Sequence, residues 1–190
     1  MSGPARVLVV CTANVCRSPM AEGLLRQHLG RVGADVVVTS AGTRGGQLPV
    51  DPEAVKALDA MGVDLRSHTS RAISRQLLDV DGADLILTMT RDHLRTIATM
   101  GRTLFHRTFT LPELARRATD SSRDLPTDLA GWIEAVGEGR KPSQLLGADP
   151  IDDVSDPYGM GAAEVRRTAA ELDRLVQTIV KLAPWPRHTP

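Results

Sequence analysis

Residues 7–18, VLVVCTANVCRS, decide how this chain is read, because an aliphatic run from Val7 to Val10 passes directly into a loop in which five residues separate Cys11 from Arg17. An uninterrupted run of this kind is the pattern of a parallel strand buried on both faces, so chemistry is expected at its carboxyl end. From Ser18 onward, SPMAEGLLRQHLG reads as a helix, with Pro19 in the first turn and Ala21, Leu24, Leu25, His28 and Leu29 at helical spacing. A loop between such a strand and helix can turn its N–H groups inward and borrow the positive end of the helix, making a cradle for a tetrahedral dianion. Cys11 lies at the base of that cradle. Donors that hold an anion also favour a thiolate, and cysteines near helix N-termini titrate well below the value of about 8.5 of a free thiol. Arg17 brings a planar fork that grips two oxygens at once. Attack of sulfur on phosphate is the expected chemistry, with Thr12, Ala13, Asn14, Val15, Cys16 and Ser18 around the bound group.

The Cys-x5-Arg spacing alone would arise in about one chain in five of this composition, so its context carries the inference. That context is the strand before it, the helix after it, Asn14 available for a left-handed turn and Ser18 at the helix start. The competing reading makes Cys11 and Cys16 small core residues, the usual fate of a free cysteine. Two cysteines bracketing a turn suit that role poorly. With no further ligand close in sequence, they do not form a zinc site either.

A length of 190 residues with 42% hydrophobic content fits a single domain over 1–190 with a substantial core. The formal net charge is zero, which argues against broad nucleic-acid or polybasic membrane binding. No apolar run reaches about 18 residues and no apolar leader ends in small residues, so neither a membrane span nor a secretory signal is read. A cytoplasmic location is expected, and a reactive thiol suits a reducing compartment.

Strands alternate with helices along the chain. The first strand begins near residue 5, and DVVVTSAG at 35–42 reads as the second. The loop TRGGQLPVD leads to a helix at about 51–61, capped by Asp51 with Pro52 at its first position. A short helix around 70–79 precedes the strand ADLILTM at 83–89, and a helix from about 90 to 100 follows. TLFHRTFTL at 103–111 holds the fourth strand, LPELARRA begins a helix, and residues 161–182 form a long one. The pattern indicates a doubly wound parallel α/β sheet. Residues 115–150 depart from it: RRATDSSRDLPTD is turn-rich, LAGWIEAVGEG suggests a short amphipathic helix from near Pro126, and RKPSQLLGADP is loop-like. This stretch, with Trp132 as its large aromatic, is read either as a lid or rim over the site or as a surface excursion.

The segment CTANVCRSPMAE at 11–22 resembles the signature of the low-molecular-weight protein tyrosine phosphatases. SAGT at 40–43, DPEAVKALDAMGVDLRSHTSR at 51–71, DLILTMTRDH at 84–93 and DPYG at 156–159 resemble further segments of that family, in its order. The resemblance covers most of the chain outside about 115–150. It implies a three-layer α-β-α domain around a four-stranded parallel sheet of order 2-1-3-4, with the loop where the sheet switches direction. It also implies that Cys11 is the nucleophile, that Arg17 binds phosphate and stabilises the transition state, that Ser18 supports the thiolate and that Asp156 is the general acid. Asn14, Ser40 and His68 match positions that brace the loop. The reaction then runs through a phosphocysteine, its rate bell-shaped in pH with a mildly acidic maximum. No metal or other cofactor is called for, since Arg17 and the loop amides supply the electrostatic stabilisation. A phosphorylated protein is the implied substrate, inorganic phosphate the product and a monomer the acting species. The family's adjacent cysteine also permits a protective disulfide between Cys11 and Cys16. Without the resemblance, Asp156 in IDDVSDPYG competes with Asp152 and Asp153, and an Asp-Pro pair reads as a turn former.

Substrate preference turns on few residues, for the chain has one Tyr, two Phe and two Trp. Tyr158 offers one wall for a phosphotyrosine ring, and Leu48 stands where the family often places an aromatic on the other. LTMTRDH, and DPYG followed by small residues, also resemble the bacterial protein-arginine phosphatases, which carry Thr before the second loop cysteine. Here that residue is Val15, which favours phosphotyrosine. Arsenate reductase shares the loop but hands a disulfide to later cysteines, and none follows Cys16. A non-catalytic phosphate-binding module would need neither Cys11 nor Asp156.

Overall fold

The run from Val7 to Val10 does form the strand that organises the molecule. The computed structural model describes residues 3–78, 82–101, 103–121, 124–145 and 150–187. Strand β1, Ala5–Cys11, lies between β2, Val36–Gly42, and β3, Leu85–Thr88, with β4, Thr108–Thr110, outside β3. The order is β2-β1-β3-β4 and every pairing is parallel. Register brings Cys11 beside Gly42, Val10 beside Thr88 and Thr88 beside Thr110, so the carboxyl ends of all four strands share one edge.

Both faces of the sheet are covered, as a continuous apolar strand requires. Val7, Val9 and Cys11 belong to a core with Leu24, Leu25 and Leu172, built with α1 (Arg17–Arg31), α2 (Pro52–Asp59), α5 (Leu111–Asp120) and α7 (Ala162–Leu182). Leu8 and Val10 turn the other way, to Ile86, Ile97 and Leu104, under α3 (Arg75–Leu78) and α4 (Arg91–Met100). The result is the expected three-layer α-β-α domain. Helix starts follow the capping signals: Asp51 accepts from the N–H groups of Glu53 and Ala54, Thr90 from His93 and Thr110 from Glu113.

Three elements differ from the sequence reading. The helix expected over 70–79 is the single turn α3, residue 79 lying outside the described residues. The preceding residues are extended because they pair with the last residue of β2: Gly42 N–H donates to Arg71 C=O and Ile73 N–H to Gly42 C=O, both at 2.9 Å. The fourth strand keeps only Thr108–Thr110, since Leu104–Arg107 coil into a 3₁₀ turn whose Leu104 C=O accepts from the Thr108 hydroxyl. The helix expected from near Pro126 is α6, Leu129–Val136, capped by Asp128.

The position of α6 bears on the lid expectation. Trp132 is buried in the core, not displayed at a rim. Just after α6, the Arg140 guanidinium stacks 4.5 Å from the Phe105 ring centre and 3.9 Å from that of Phe109, and pairs with Glu113 at 2.7 Å. Residues of α6 line a cavity of about 910 Å³ together with Ala5 and Asp84, at the amino ends of β1 and β3. Helix α6 and Trp132 therefore sit at the end of the sheet opposite Cys11, and they are not a lid over it. In the segment expected to be a loop, Pro142–Leu145 form a 3₁₀ turn, and residues 146–149 lie outside the described residues.

Candidate active site

Cys11 ends β1, and the chain reverses at once through Asn14, which adopts the left-handed conformation at φ 58° that its short polar side chain tolerates. Asn14 then spends every polar group it has on the loop. Its backbone N–H donates to Cys11 Sγ at 3.2 Å, and its carbonyl lies 3.1 Å from His68 Nε2. Its two amide hydrogens go to Ser18 Oγ at 2.9 Å and Ser40 Oγ at 2.7 Å, while Oδ1 accepts from Arg71 N–H at 3.0 Å. Since Ser18 Oγ accepts from Asn14, its own hydrogen is free to point at Cys11 Sγ, 3.0 Å away. Ser40 passes its hydrogen to the buried Glu22 carboxylate, which also pairs with Arg26. The sulfur thus receives two donors whose orientation is fixed from behind.

The loop backbone is pinned as well. Thr43 N–H donates to Cys11 C=O at 2.9 Å, Arg44 N–H to Thr12 C=O at 2.8 Å and Asp51 N–H to Val15 C=O at 2.8 Å. This contact is close enough that only a glycine fits at 42: a Cβ there would lie 2.6 Å from the Thr12 oxygen and 2.9 Å from the Ala13 carbonyl carbon. Gly42→Ala should therefore displace the loop, lowering kcat by about 10- to 100-fold on an aryl phosphate while the far-ultraviolet spectrum keeps its native shape. Wild-type kcat in that variant would show that the loop tolerates the shift.

Arg17 opens α1 and is only 4% exposed, its fork aimed at the segment that precedes α7. Nη1 donates to Val154 C=O at 3.1 Å and Nη2 lies 2.5 Å from Asp156 Oδ2. That segment is itself tied to the sheet edge, Val154 N–H donating to Met89 C=O at 2.8 Å. The three neighbouring aspartates separate by geometry. Asp152 pairs with Arg116 on the surface at 2.9 Å, Asp153 accepts from Arg91 N–H at the start of α4, and Asp156 alone of the three meets Arg17.

The structure brings together Cys11, Thr12, Asn14, Arg17, Ser18, Ser40, His68 and Asp156. The loop residues divide by where their side chains lie. Those of Asn14, Cys16 and Ser18 are buried and turned into the protein, so only their backbones remain to meet a ligand. Burial, aided by the nearby Asp51, pushes the Cys16 thiol up to about 12, which keeps it protonated. Both cysteines are free and buried. Val15 is buried and Ala13 partly so. Tyr158 and Leu48 project outward, 63% and 54% exposed. Tyr158 belongs to the turn that carries Asp156, whose Oδ1 accepts from its N–H at 3.3 Å.

Two residues lacked an assignment from sequence. Glu22 anchors the Ser40 arm described above. His93, at the third position of α4, places Nε2 2.9 Å from Thr12 Oγ1 and Nδ1 2.8 Å from Thr90 Oγ1. The signal for it was a histidine three residues after a capping Thr at the carboxyl end of a buried strand. Burial, then the adjacent Arg17, push His93 down to about 4 from an ordinary 6.5. Between those values the unfolded chain binds a proton that the folded chain refuses. The stability owed to this residue is therefore full above about pH 6.5 and lost as pH falls toward 4. His93→Gln should flatten the rise in unfolding free energy between pH 4 and 6.5 by about one proton, read from urea titrations at several pH values.

The model of the family described as low molecular weight phosphotyrosine protein phosphatase matches residues 6–134. A probable low molecular weight protein-tyrosine-phosphatase EpsP of Ralstonia solanacearum is 43% identical over 83 residues, 44% of this chain and 54% of its own length. The protein-arginine-phosphatase of Bacillus subtilis is 35% identical over 135 residues, 70% of this chain and 86% of its own. The match thus spans about half the length of the first relative and most of the second. The solved structure of a low molecular weight protein tyrosine phosphatase from T. tengcongensis superposes with a TM-score of 0.70 at 30% identity, covering 93% of this chain and 98% of that one. Together with the loop that runs from Cys11 to Arg17, these matches make the chain a member of the low molecular weight phosphotyrosine protein phosphatase family.

Proposed function

We propose that this protein hydrolyses phosphotyrosine in proteins through a phosphocysteine intermediate. The observation that carries the reading is the convergence on one loop of Cys11 Sγ with two fixed donors, the Arg17 fork, and Asp156 at 2.5 Å from that fork. An incoming phosphate dianion takes Nη2 from Asp156, which frees the carboxyl group to face the leaving oxygen. Cys11 Sγ, as thiolate, then attacks phosphorus, the bond to the tyrosine oxygen breaks and Asp156 gives that oxygen its proton. In the second step water attacks the phosphocysteine, Asp156 takes the proton, and the sulfur leaves as a thiolate while inorganic phosphate is released. Ser18 and Asn14 donate to the sulfur when it departs, and Arg17 and the free N–H groups of the first turn of α1 carry the charge on the phosphoryl oxygens.

On this reading the protein acts as a monomer on phosphorylated proteins in the cytoplasm. A reactive thiol persists in a reducing compartment, and among the described residues no helix is long and apolar enough to cross a membrane.

Hydrolysis of phosphoarginine is the second reading, favoured by the long match to the Bacillus protein-arginine-phosphatase. Val15 weighs against it, since a methyl stands where a hydroxyl would meet a guanidinium. Hydrolysis of phosphotyrosine and phosphoarginine peptides by wild type and Val15→Thr separates the two. A wild-type preference for phosphotyrosine that narrows or reverses in Val15→Thr is expected. A strong wild-type preference for phosphoarginine would replace the first reading with the second.

A further inference from the structure

We infer that His93 is a positioning residue for the reaction: held by Thr90, it fixes the Thr12 side chain so that the Thr12 hydroxyl donates its hydrogen to the phosphoryl group beside Arg17. This extends the phosphatase reading above and uses its loop, but the contact itself is read from four polar atoms.

The case is an accounting of hydrogens. Thr90 Oγ1 accepts the His93 backbone N–H at 3.4 Å as the cap of α4, and its own hydrogen is then available to His93 Nδ1 at 2.8 Å. A neutral imidazole has one donor and one acceptor; in the tautomer the inference assigns, Nδ1 accepts, and Nε2 carries the hydrogen and donates it to Thr12 Oγ1 at 2.9 Å. Arg17 Nη2 is a second donor to the same oxygen, at 3.5 Å. With both lone pairs of Thr12 Oγ1 facing donors, its one hydrogen has to point elsewhere. That oxygen lies within reach of the guanidinium nitrogen that meets Asp156, and a phosphate held there is the acceptor it would meet. Burial, then Arg17, push the imidazole down to about 4, so it is neutral near pH 6 and above, which preserves the donor and acceptor pattern. The Thr12 carbonyl is already fixed by Arg44 N–H, so the free variable at Thr12 is its side-chain rotamer, and His93 sets it.

The test combines two readouts on folded variants, with thermal unfolding as the check on folding. Calorimetric binding of inorganic phosphate should weaken about tenfold in Thr12→Val and in His93→Phe. Turnover of an aryl phosphate should fall about 10- to 100-fold in the same variants. The double variant should lose no more than either single one, because both remove the same hydrogen bond to phosphate. Thr12→Ser and His93→Gln, which keep a hydroxyl and a donor, should recover most of both readouts. Phosphate affinity and turnover within twofold of wild type in Thr12→Val and His93→Phe, losses that multiply in the double variant, or no recovery by the conservative pair would each overturn the inference. Absence of turnover in wild type would instead sink the phosphatase reading, and the calorimetric arm would still decide the role of His93.

Discussion

Cys11→Ser is expected to remove turnover of an aryl phosphate to the limit of detection, a loss of about 10⁵-fold or more. The size of the effect follows from what the loop can and cannot do for an oxygen. Asn14 N–H and the Ser18 hydroxyl converge on the sulfur at 3.2 and 3.0 Å. A serine hydroxyl titrates far above any cysteine thiol, and among the described residues no side chain within hydrogen-bond reach of that atom serves as a base to remove its proton. Ser18 is itself a hydroxyl, and Asn14 only donates there. The variant keeps nearly the same volume, so the fold and the Arg17 fork should survive, with an unfolding temperature close to wild type and retained binding of inorganic phosphate. Mass spectrometry of rapidly quenched wild type with substrate should show the phosphoenzyme, with the added phosphate mapping to the peptide holding Cys11. Turnover that persists in Cys11→Ser, or a phosphate that maps elsewhere, would end the covalent mechanism at this residue.

The parts of this arrangement that were legible in the sequence are those fixed by neighbours in the chain. Val7 to Val10 carry the pattern of a doubly buried strand, Asp51 and Pro52 announced a helix start, and the loop from Cys11 to Arg17 is local by construction. What escaped was set by contacts between distant segments. Residues 70–73 look able to extend a helix, but Arg71 and Ile73 give their backbones to Gly42 across the loop, and a ladder contact outweighs a weak local preference. Trp132 carried no sign of which end of the sheet it would join. Its placement follows from Arg140, whose stacking on Phe105 and Phe109 draws the chain after α6 under β4. His93 faced the same difficulty: its partners Thr12 and Arg17 lie some 80 residues earlier, and only the parallel register of β1 with β3 brings the two loop starts side by side.

Choosing among Asp152, Asp153 and Asp156 was the other long-range question, and it leads to the second large effect. Asp156→Ala should lower kcat/KM about 10²- to 10⁴-fold for phosphotyrosine peptides and phenyl phosphate, and much less for aryl phosphates with strongly acidic leaving groups. A departing phenoxide needs the proton that Asp156 supplies, whereas a nitrophenoxide departs without it, so the slope of log kcat/KM against leaving-group pKa should steepen in the variant. Asp152→Ala and Asp153→Ala should leave that slope as in wild type, because their carboxylates are engaged with Arg116 and with the N-terminus of α4. Phosphate binding gives a second, independent reading of the same geometry. In wild type the carboxylate of Asp156 competes with any anion for Arg17 Nη2, so its removal should leave phosphate affinity unchanged or raise it while catalysis falls. An acid that is merely structural would lose both together. A variant in which kcat/KM falls equally for good and poor leaving groups would therefore remove Asp156 from protonation of the leaving group.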